Sequence, residues 1–561
     1  MSEVIAAAES ISAPWPFAQI FPAELAVKRP LPSYFGPILI FGLSGVFTVL
    51  VWFMGRFKGR TAEEMFSGGR DVGHGMSNAA IVATWVWAAT LMMSSWTGYT
   101  YGPSGPWWYS LGATLPLPIF AYLGQTLKVK MPLIHTYPEF ILFRLDRKNH
   151  VCQAIIAMIV CQWVTIMIVS GGSIMYMTYT GLPFELCALC MCISFAAYIL
   201  VAGAWAAIFA DMAMGLTIYV CLGICIWGSM VLLGPLKIWE GLVHHYTTHP
   251  IIEPWGPYSN EFYRTNQWDC INYLNAAGIG FLIVNSVGNL GAVLNNSTYW
   301  SIAIAADKPR TVWTSYIASA LCWAPIPLSM ATSRGVVGLA LGVTLGETYQ
   351  GGQHGVPFGG AENAYIYFQE AEAVAPLTAF TVLGYVGLIA FFVAVGAATV
   401  STGAHETMST VTNFVNDLYR YYIRPKASAR ELLVLTRLMV GVSLAISFFI
   451  VVMWRWLGFT FAGMYQAMGI FFSSAVIPLC CAAFWKDANR DGCFWGTVIG
   501  AALGIAYWVA CDWSLDWPVV WANIIVTAVS CFICVGWSAI KPENFDFTKM
   551  ATIDVYIHEE V

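Results

Sequence analysis

Two adjacent hydroxyls, Ser401 and Thr402, stand one helical turn after Ala398 in a long apolar stretch that runs on into Gly403-Ala-His-Glu406. A desolvated Na+ needs several hard oxygens, and hydroxyls with backbone carbonyls supply them without a full charge. Glu406 is an acid inside or at the inner edge of that stretch. Such a group faces a bundle interior and serves an ion or relay, or else it pairs at the water boundary. Asp211 opens a second stretch, in Ala206-Ala-Ile-Phe-Ala-Asp-Met, where the helix macrodipole alone accounts for a carboxylate. Both acids are candidate coupling or gating residues. Asn285 and Asn289, spaced i, i+4, share one helix face, and Gly288 and Gly291 weaken the helix beside them. Two amides on one face suit a neutral hydrogen-bonding solute, or act as glue between helices. The segment 84–105, from Thr84-Trp-Val-Trp to Gly-Pro-Ser-Gly, is dense in Trp, Ser and Thr. A break there frees carbonyl oxygens for an ion or a neutral solute; the plainer reading is a packed helix with interface aromatics.

The elements that must position these residues follow from composition. Of 561 residues, 58% are hydrophobic and 10% charged, and mean hydropathy is +0.66. Charge at less than half the usual ~25% cannot cover a water-soluble surface. Soluble enzymes, disordered chains and nucleic-acid binders are excluded, and the net charge of −5 offers no basic patch. A polytopic protein of the lipid bilayer remains. Thirteen stretches are long and apolar enough to cross, each needing about 20 residues. They lie at 34–55, 77–101, 107–127, 151–180, 184–203, 206–234, 271–300, 311–342, 376–419, 431–453, 457–484, 493–511 and 517–540. With the N-terminus outside, 20 of the 26 Lys and Arg fall on the inner side, as the positive-inside rule requires. Outer residues then include Arg334. Residues 1–33 lack the basic start and apolar core of a signal peptide. The outer loops 235–270 and 345–375 are long, aromatic and Gly-rich, candidates for short helices or lids over a vestibule. Cys187, Cys190 and Cys192, in an apolar helix, and His244, His245 and His249, in a loop, read as ordinary residues rather than metal ligands.

No Gly-x4-Gly-Lys-Ser/Thr loop is present in the sequence, so a built-in ATP motor is unsupported, and no nucleophile–base constellation stands out. An enzyme is therefore not expected, and no cofactor is implied.

The chain resembles the sodium:solute symporter family, within it the urea active transporter (urea–cation symporter) branch. The resemblance rests on Trp87-Ala-Ala-Thr90, Tyr101-Gly102-x-Ser104-Gly105-Pro106, Gly112-Ala-Thr114 and His135-Thr136-x-x-Glu139. It rests also on Val287-Gly288-Asn289, Tyr299-Trp300, Ser401-Thr402-Gly403, Asp417-x-Tyr419 and Ser474-Ala-Val-Ile-Pro478. It implies an all-α, leucine-transporter-type fold of 5+5 inverted repeats with about thirteen transmembrane helices. An outer segment 1–33 and a leading helix 34–56 precede a first repeat at 77–234. The outer loop 235–270 leads to a second repeat at 271–485, then two trailing helices in 493–540 and an inner tail 541–561. The first span of each repeat is expected to break at mid-membrane. The resemblance also implies a sodium site built from the carbonyls of Val86, Ala89 and Ala398 and the hydroxyls of Ser401 and Thr402. The implied solute is urea, imported with Na+ as coupling ion through a cell membrane. Urea is planar and neutral, so Trp85, Trp87 and Trp96 are candidate walls. Thr90, Gln162, Asn285 and Asn289 are candidate hydrogen-bond partners, Gln162 if its helix rotation turns it to the centre.

Two departures matter. The branch carries Asp-Gln-Ser-Tyr-Trp-Gln-Arg where this chain reads Asn296-Ser-Thr-Tyr-Trp-Ser-Ile302, so an inner charged gate is expected to be missing. Met214 stands where the branch has His after Asp211, which argues against a proton relay there. The alternatives are another small solute (guanidinium, a polyamine or an amino acid), proton coupling, or a sensor that has lost transport.

Overall fold

The computed structural model describes residues 31–55, 70–201, 204–248, 273–274, 276–341, 355–357, 365–367, 374–511 and 516–550. Most of the expected outer segment, most of both long outer loops and the end of the inner tail lie outside them. Each of the thirteen apolar stretches is helical where described. Among the described residues nine helices are long and apolar enough to cross a bilayer alone, and two bent pairs of helices pass as further spans.

The leading helix is α1 (Phe35–Gly55). The first bent pair is α2 (His74–Trp85) and α3 (Ala88–Thr100), broken by 57°. Then come α4 (Ser104–Thr114) and α5 (Pro116–Lys130). Pro116 has no N–H to donate, but Leu115 between the two keeps helical angles (φ −50°, ψ −39°), so the expected span is not broken there. A short α6 (Tyr137–Arg144) leads into α7 (Arg147–Thr180) and α8 (Phe184–Val201). Next, α9 (Ala204–Thr248) turns at Gly234, whose φ of 75° only glycine adopts freely, just before Pro235. The loop expected at 235–270 therefore begins as helix.

The second bent pair, α10 (Ala276–Leu294) and α11 (Ser297–Ala305), is broken by 51°. α12 (Pro309–Trp323) and α13 (Pro325–Met330) meet at another proline and continue through a π-helical turn at Ala331–Val336 to Ala340. α14 (Val374–Thr412) runs on as π-helix to Ile423. α15 (Ala429–Trp456), α16 (Phe461–Phe472) and α17 (Val476–Phe484) follow. The trailing α18 (Arg490–Ala510) and α19 (Asp516–Ile540) pack along Gly492, Gly496, Gly500 and Gly504, where an added Cβ would meet Trp537, Ser530 and Val526. Small residues at i, i+4 let two helices in lipid approach this closely. An antiparallel two-stranded ribbon, Gly355–Pro357 with Tyr365–Tyr367, is an exception to the all-helical pattern.

The perimeter exposes large apolar side chains, among them Trp227, Leu321 and Phe532. A band of this kind would aggregate in water and is at home against acyl chains. The polar residues singled out by sequence are instead buried: Asp211, Asn285, Ser401, Thr402 and Glu406 are each 0% exposed.

Candidate functional site

A broken helix leaves terminal carbonyls without helical partners, and buried in a membrane each must be satisfied from elsewhere. At the end of α2 the chain leaves helical geometry at Val86 (φ −87°, ψ 88°). The Thr84 carbonyl accepts the Thr402 hydroxyl at 3.1 Å and the Tyr299 hydroxyl at 3.5 Å. The Trp85 carbonyl accepts Trp323 Nε1 at 2.9 Å and Thr90 Oγ1 at 3.1 Å. Thr90 also accepts the Trp87 backbone N–H at 3.0 Å, which caps α3.

The second break is met in the same way. The Leu294 carbonyl accepts Trp300 Nε1 at 2.7 Å, and the Asn295 carbonyl accepts the Tyr137 hydroxyl at 3.0 Å. Asn296 caps α11 by accepting the Thr298 N–H at 2.8 Å. Its amide nitrogen donates to both carboxylate oxygens of Glu406, at 2.9 and 3.0 Å. Each break is thus sealed by one indole, one tyrosine hydroxyl and one residue of α14. Thr402 and Glu406 are i, i+4 on that helix, so one face of α14 touches both breaks. Ser409 extends the contact, accepting from Thr298 Oγ1 at 2.8 Å. The position where an inner charged gate is expected to be missing holds this amide–carboxylate contact, and Glu406 is buried in it rather than paired at a water boundary.

Ser401 turns to α9 and donates to Asp211 Oδ1 at 2.7 Å. The other carboxylate oxygen lies 3.5 Å from His405 Nε2. His405 Nδ1 sits 2.9 Å from the Ser401 carbonyl. The departure at Met214 argued against a titratable neighbour for Asp211; the structure supplies one from α14. Sequence reasoning quoted His405 without using it, since 194 positions separate the two residues.

The oxygens nearest the first break, the Thr402 hydroxyl and the Thr84 carbonyl, with the Ser401 hydroxyl next along α14, are of the hard type that a cation such as Na+ takes. Val86 stands at the break itself, and Ala398 is buried one turn before Thr402. The Ala89 carbonyl accepts the Tyr109 hydroxyl at 3.3 Å. Thr84 opens the Trp-, Ser- and Thr-rich segment but was not among the expected cation ligands.

Among the candidate solute residues, Trp85 and Trp87 pack edge-to-face 4.9 Å apart beside the break, with Tyr299 and Trp323 at 5.3 and 5.8 Å from Trp85. Trp85 Nε1 donates to the Ala113 carbonyl at 3.1 Å. Trp87 Nε1, Thr84 Oγ1 and Ser94 Oγ are buried and have no partner among the described residues. Trp96 stands farther out with Tyr101 and Phe281. Asn285 and Asn289 do share a face, but their amides are committed: Asn285 donates to the Tyr109 carbonyl at 2.8 Å and accepts Tyr465 OH at 2.6 Å, and Asn289 donates to Asn285 Oδ1 at 2.7 Å. Tyr109 and Tyr465, stacked at 5.8 Å, were not among the candidate solute residues. The glycines beside the amides do not break α10. Gly288 and Gly291 admit α16 and the turn after it instead, since a Cβ there would lie 2.8 Å from Met468 and 2.5 Å from Ser473. Gln162 does not reach the centre: it faces α15, donating to Ser447 Oγ at 2.6 Å and accepting from Ser443 Oγ at 2.7 Å.

The described residues hold no group of three or more His, Cys, Asp or Glu placed to bind a metal.

Comparison with known proteins places this geometry. The urea-proton symporter DUR3 of Oryza sativa subsp. japonica is 29% identical over 499 residues, 84% of this chain and 66% of that protein. The urea active transporter of Saccharomyces cerevisiae is 28% identical over 550 residues, 94% of this chain and 72% of that protein. The chain therefore spans about two thirds of these relatives' lengths. Both are transporters by name, not enzymes. Among solved structures, a Na+-coupled sialic acid symporter in a substrate-bound outward-open state matches with a TM-score of 0.66 at 16% identity, over 91% of this chain and 99% of that one. That likeness gives the fold, the leucine-transporter type. The family description of the sodium:solute symporters matches residues 65–500: this multi-pass membrane protein belongs to the sodium:solute symporter family.

Proposed function

We propose that this protein imports urea, or a similar small neutral nitrogenous solute, by symport with Na+ through alternating access. The observation that carries the reading is the single face of α14 that reaches both helix breaks, with Ser401 and Thr402 beside the first. A cation held by these hydroxyls, the nearby carbonyls of Val86, Ala89 and Ala398, and Thr84 would fix α14 against the α2–α3 break. The solute would sit between the same breaks, against Trp85, Trp87 and Tyr299. The Trp87 N–H, beside Tyr299, would donate to the urea carbonyl, and the Thr84 and Ser94 hydroxyls would accept urea N–H groups. Asn285, Asn289, Tyr109 and Tyr465 would hold the wall above them in shape. The names of the plant and yeast relatives support urea as the solute. One charge moving through 100 mV is worth about 2.3 kcal/mol. With about 1.4 kcal/mol from a tenfold Na+ gradient, one Na+ can concentrate a neutral solute several hundredfold.

A second reading, proton coupling, is favoured by a specific contact: Ser401 is bound to Asp211, and His405 lies against that carboxylate. The rice relative is named a proton symporter. Uptake of labelled urea into proteoliposomes, under an inward Na+ gradient or an inward pH gradient, separates the two. Accumulation with Na+ alone supports the sodium reading; accumulation with the pH gradient alone moves coupling to Asp211 and His405. No accumulation under either overturns urea as the solute.

A further inference from the structure

Arg334 was counted among the outer basic residues, yet it is 0% exposed. It sits in the π-helical turn Ala331–Val336. That turn lies roughly 36 Å of helical rise beyond Arg310, near the outer boundary in the orientation set by the charges. Only Nη2 is engaged: it donates to the Cys225 carbonyl and to Ser229 Oγ, one turn apart on α9. Nε and Nη1 have no acceptor among the described residues. Three of the five guanidinium N–H groups are therefore unmet. Two more buried hydroxyls in the region, Ser333 Oγ and Thr378 Oγ1, are also unpartnered. Thr378 Oγ1 lies 2.6 Å from where a Cβ of Gly338, one turn past Arg334, would stand.

Arg144, also buried among the described residues, likewise has no hydrogen-bond acceptor on Nε or Nη1, but it differs in having a carboxylate close by. Its Nη1 lies 3.8 Å from Glu543, its Nη2 donates to the carbonyls of Trp485, Lys486 and Ala488, and Phe545 covers it. Among the described residues no carboxylate comes within ion-pair distance of Arg334. An arginine cannot escape the cost by losing its proton, and an unpaired buried charge is strongly destabilising.

We propose that Arg334 holds a small inorganic anion, a halide such as chloride, taken from the outer side. A halide is monovalent and spherical, and it needs only donors. The unmet guanidinium N–H groups offer donors, with the unpartnered Thr378 hydroxyl opposite Gly338 one turn on, and a halide asks for nothing else. The bound anion would brace the outer half of the first broken span. The π-helical turn lies backbone to backbone on α3: a Cβ at Gly335 would fall 2.1 Å from the Ser95 carbonyl, and one at Gly98 would fall 2.3 Å from the Ala331 carbonyl. The anion fixes that turn and α3 through it. This inference does not depend on the solute or on the coupling ion.

The test uses the purified full chain in detergent, at constant Na+ and ionic strength, with chloride replacing gluconate stepwise. Thermal midpoint should rise saturably by several degrees with chloride, and bromide should act alike, because a ligand that binds the folded state alone stabilises it. Arg334→Gln should remove the rise. Equal midpoints in chloride and gluconate for the wild-type chain would overturn the proposal, whether or not the variant folds. So would a rise that Arg334→Gln retains. Glu370→Gln and Glu372→Gln test a rival counter-charge from the segment before α14. If either creates a chloride dependence that the wild type lacks, a carboxylate and not a halide neutralises Arg334.

Discussion

Thr402→Val and Trp323→Phe each remove one donor from consecutive terminal carbonyls of the same broken helix. Thr402 donates to Thr84 O at 3.1 Å and Trp323 to Trp85 O at 2.9 Å. After the first change Thr84 O keeps only the Tyr299 hydroxyl at 3.5 Å; after the second, Trp85 O keeps Thr90 Oγ1 at 3.1 Å. A buried carbonyl that loses its partner costs about 1–3 kcal/mol, so both variants should lose stability by that order, Trp323→Phe somewhat more for the space it leaves. Their cation responses should part. Thr402→Val also deletes an oxygen ligand, and a hydroxyl on a charged partner is worth about 1.5–3 kcal/mol. The Na+ concentration for half-maximal urea uptake should then rise roughly 10- to 150-fold. Trp323→Phe should leave that concentration within about twofold, since the indole N–H is a donor that supplies no oxygen ligand and phenylalanine keeps an aromatic face. The assay is a Na+ titration of uptake beside thermal unfolding of each variant. Equal shifts in the two variants, or none in Thr402→Val, would refute the assignment of Thr402 to an ion site.

Glu406→Gln keeps the size of the side chain but replaces one of the two acceptors that Asn296 uses. It should cost about 1–3 kcal/mol in unfolding free energy, and uptake should slow more than solute affinity falls; an unchanged maximal rate would detach Glu406 from movement of the second break. Asp211→Asn and His405→Gln should abolish any uptake driven by a pH gradient and spare uptake driven by Na+; a pH-driven component surviving both would remove them from proton coupling. Gln162→Leu should lower stability through its lost contacts with Ser443 and Ser447 while leaving the urea half-saturation constant in place, which kinetics on the reconstituted variant would check. Gly335→Ala would drive a methyl to 2.1 Å from the Ser95 carbonyl, a backbone neighbour that cannot move aside; it should cost about 1–3 kcal/mol, read as a lower unfolding midpoint.

The spans and the α14 hydroxyl motif were legible because both are local. Twenty apolar residues in a row identify a helix in lipid, and Ala398, Ser401 and Thr402 fall within two turns. The breaks themselves were harder to place. Neither Val86-Trp87 nor Asn295-Asn296 contains the glycine or proline that marks a helix end. These breaks persist because Thr402, Tyr299, Trp323, Tyr137 and Trp300 satisfy the freed carbonyls, and most of these lie more than a hundred positions away. The same holds for the Asp211–His405 contact and for Gln162, whose rotation toward α15 is set by Ser443 and Ser447. The sequence set Arg334 on the outer side, and only its packing against Cys225 and Ser229 reveals that it is buried there.

The central claim is that solute and cation move together through the two breaks joined by α14. The most direct test is radiosodium flux into proteoliposomes with no imposed voltage or pH gradient, driven only by an inward urea gradient. The account predicts Na+ entry that depends on urea, with a fixed ratio between the two fluxes, and its loss when Ser401 and Thr402 are both replaced by alanine. Urea entry without Na+ movement, or urea-driven Na+ entry that survives the double replacement, would contradict it.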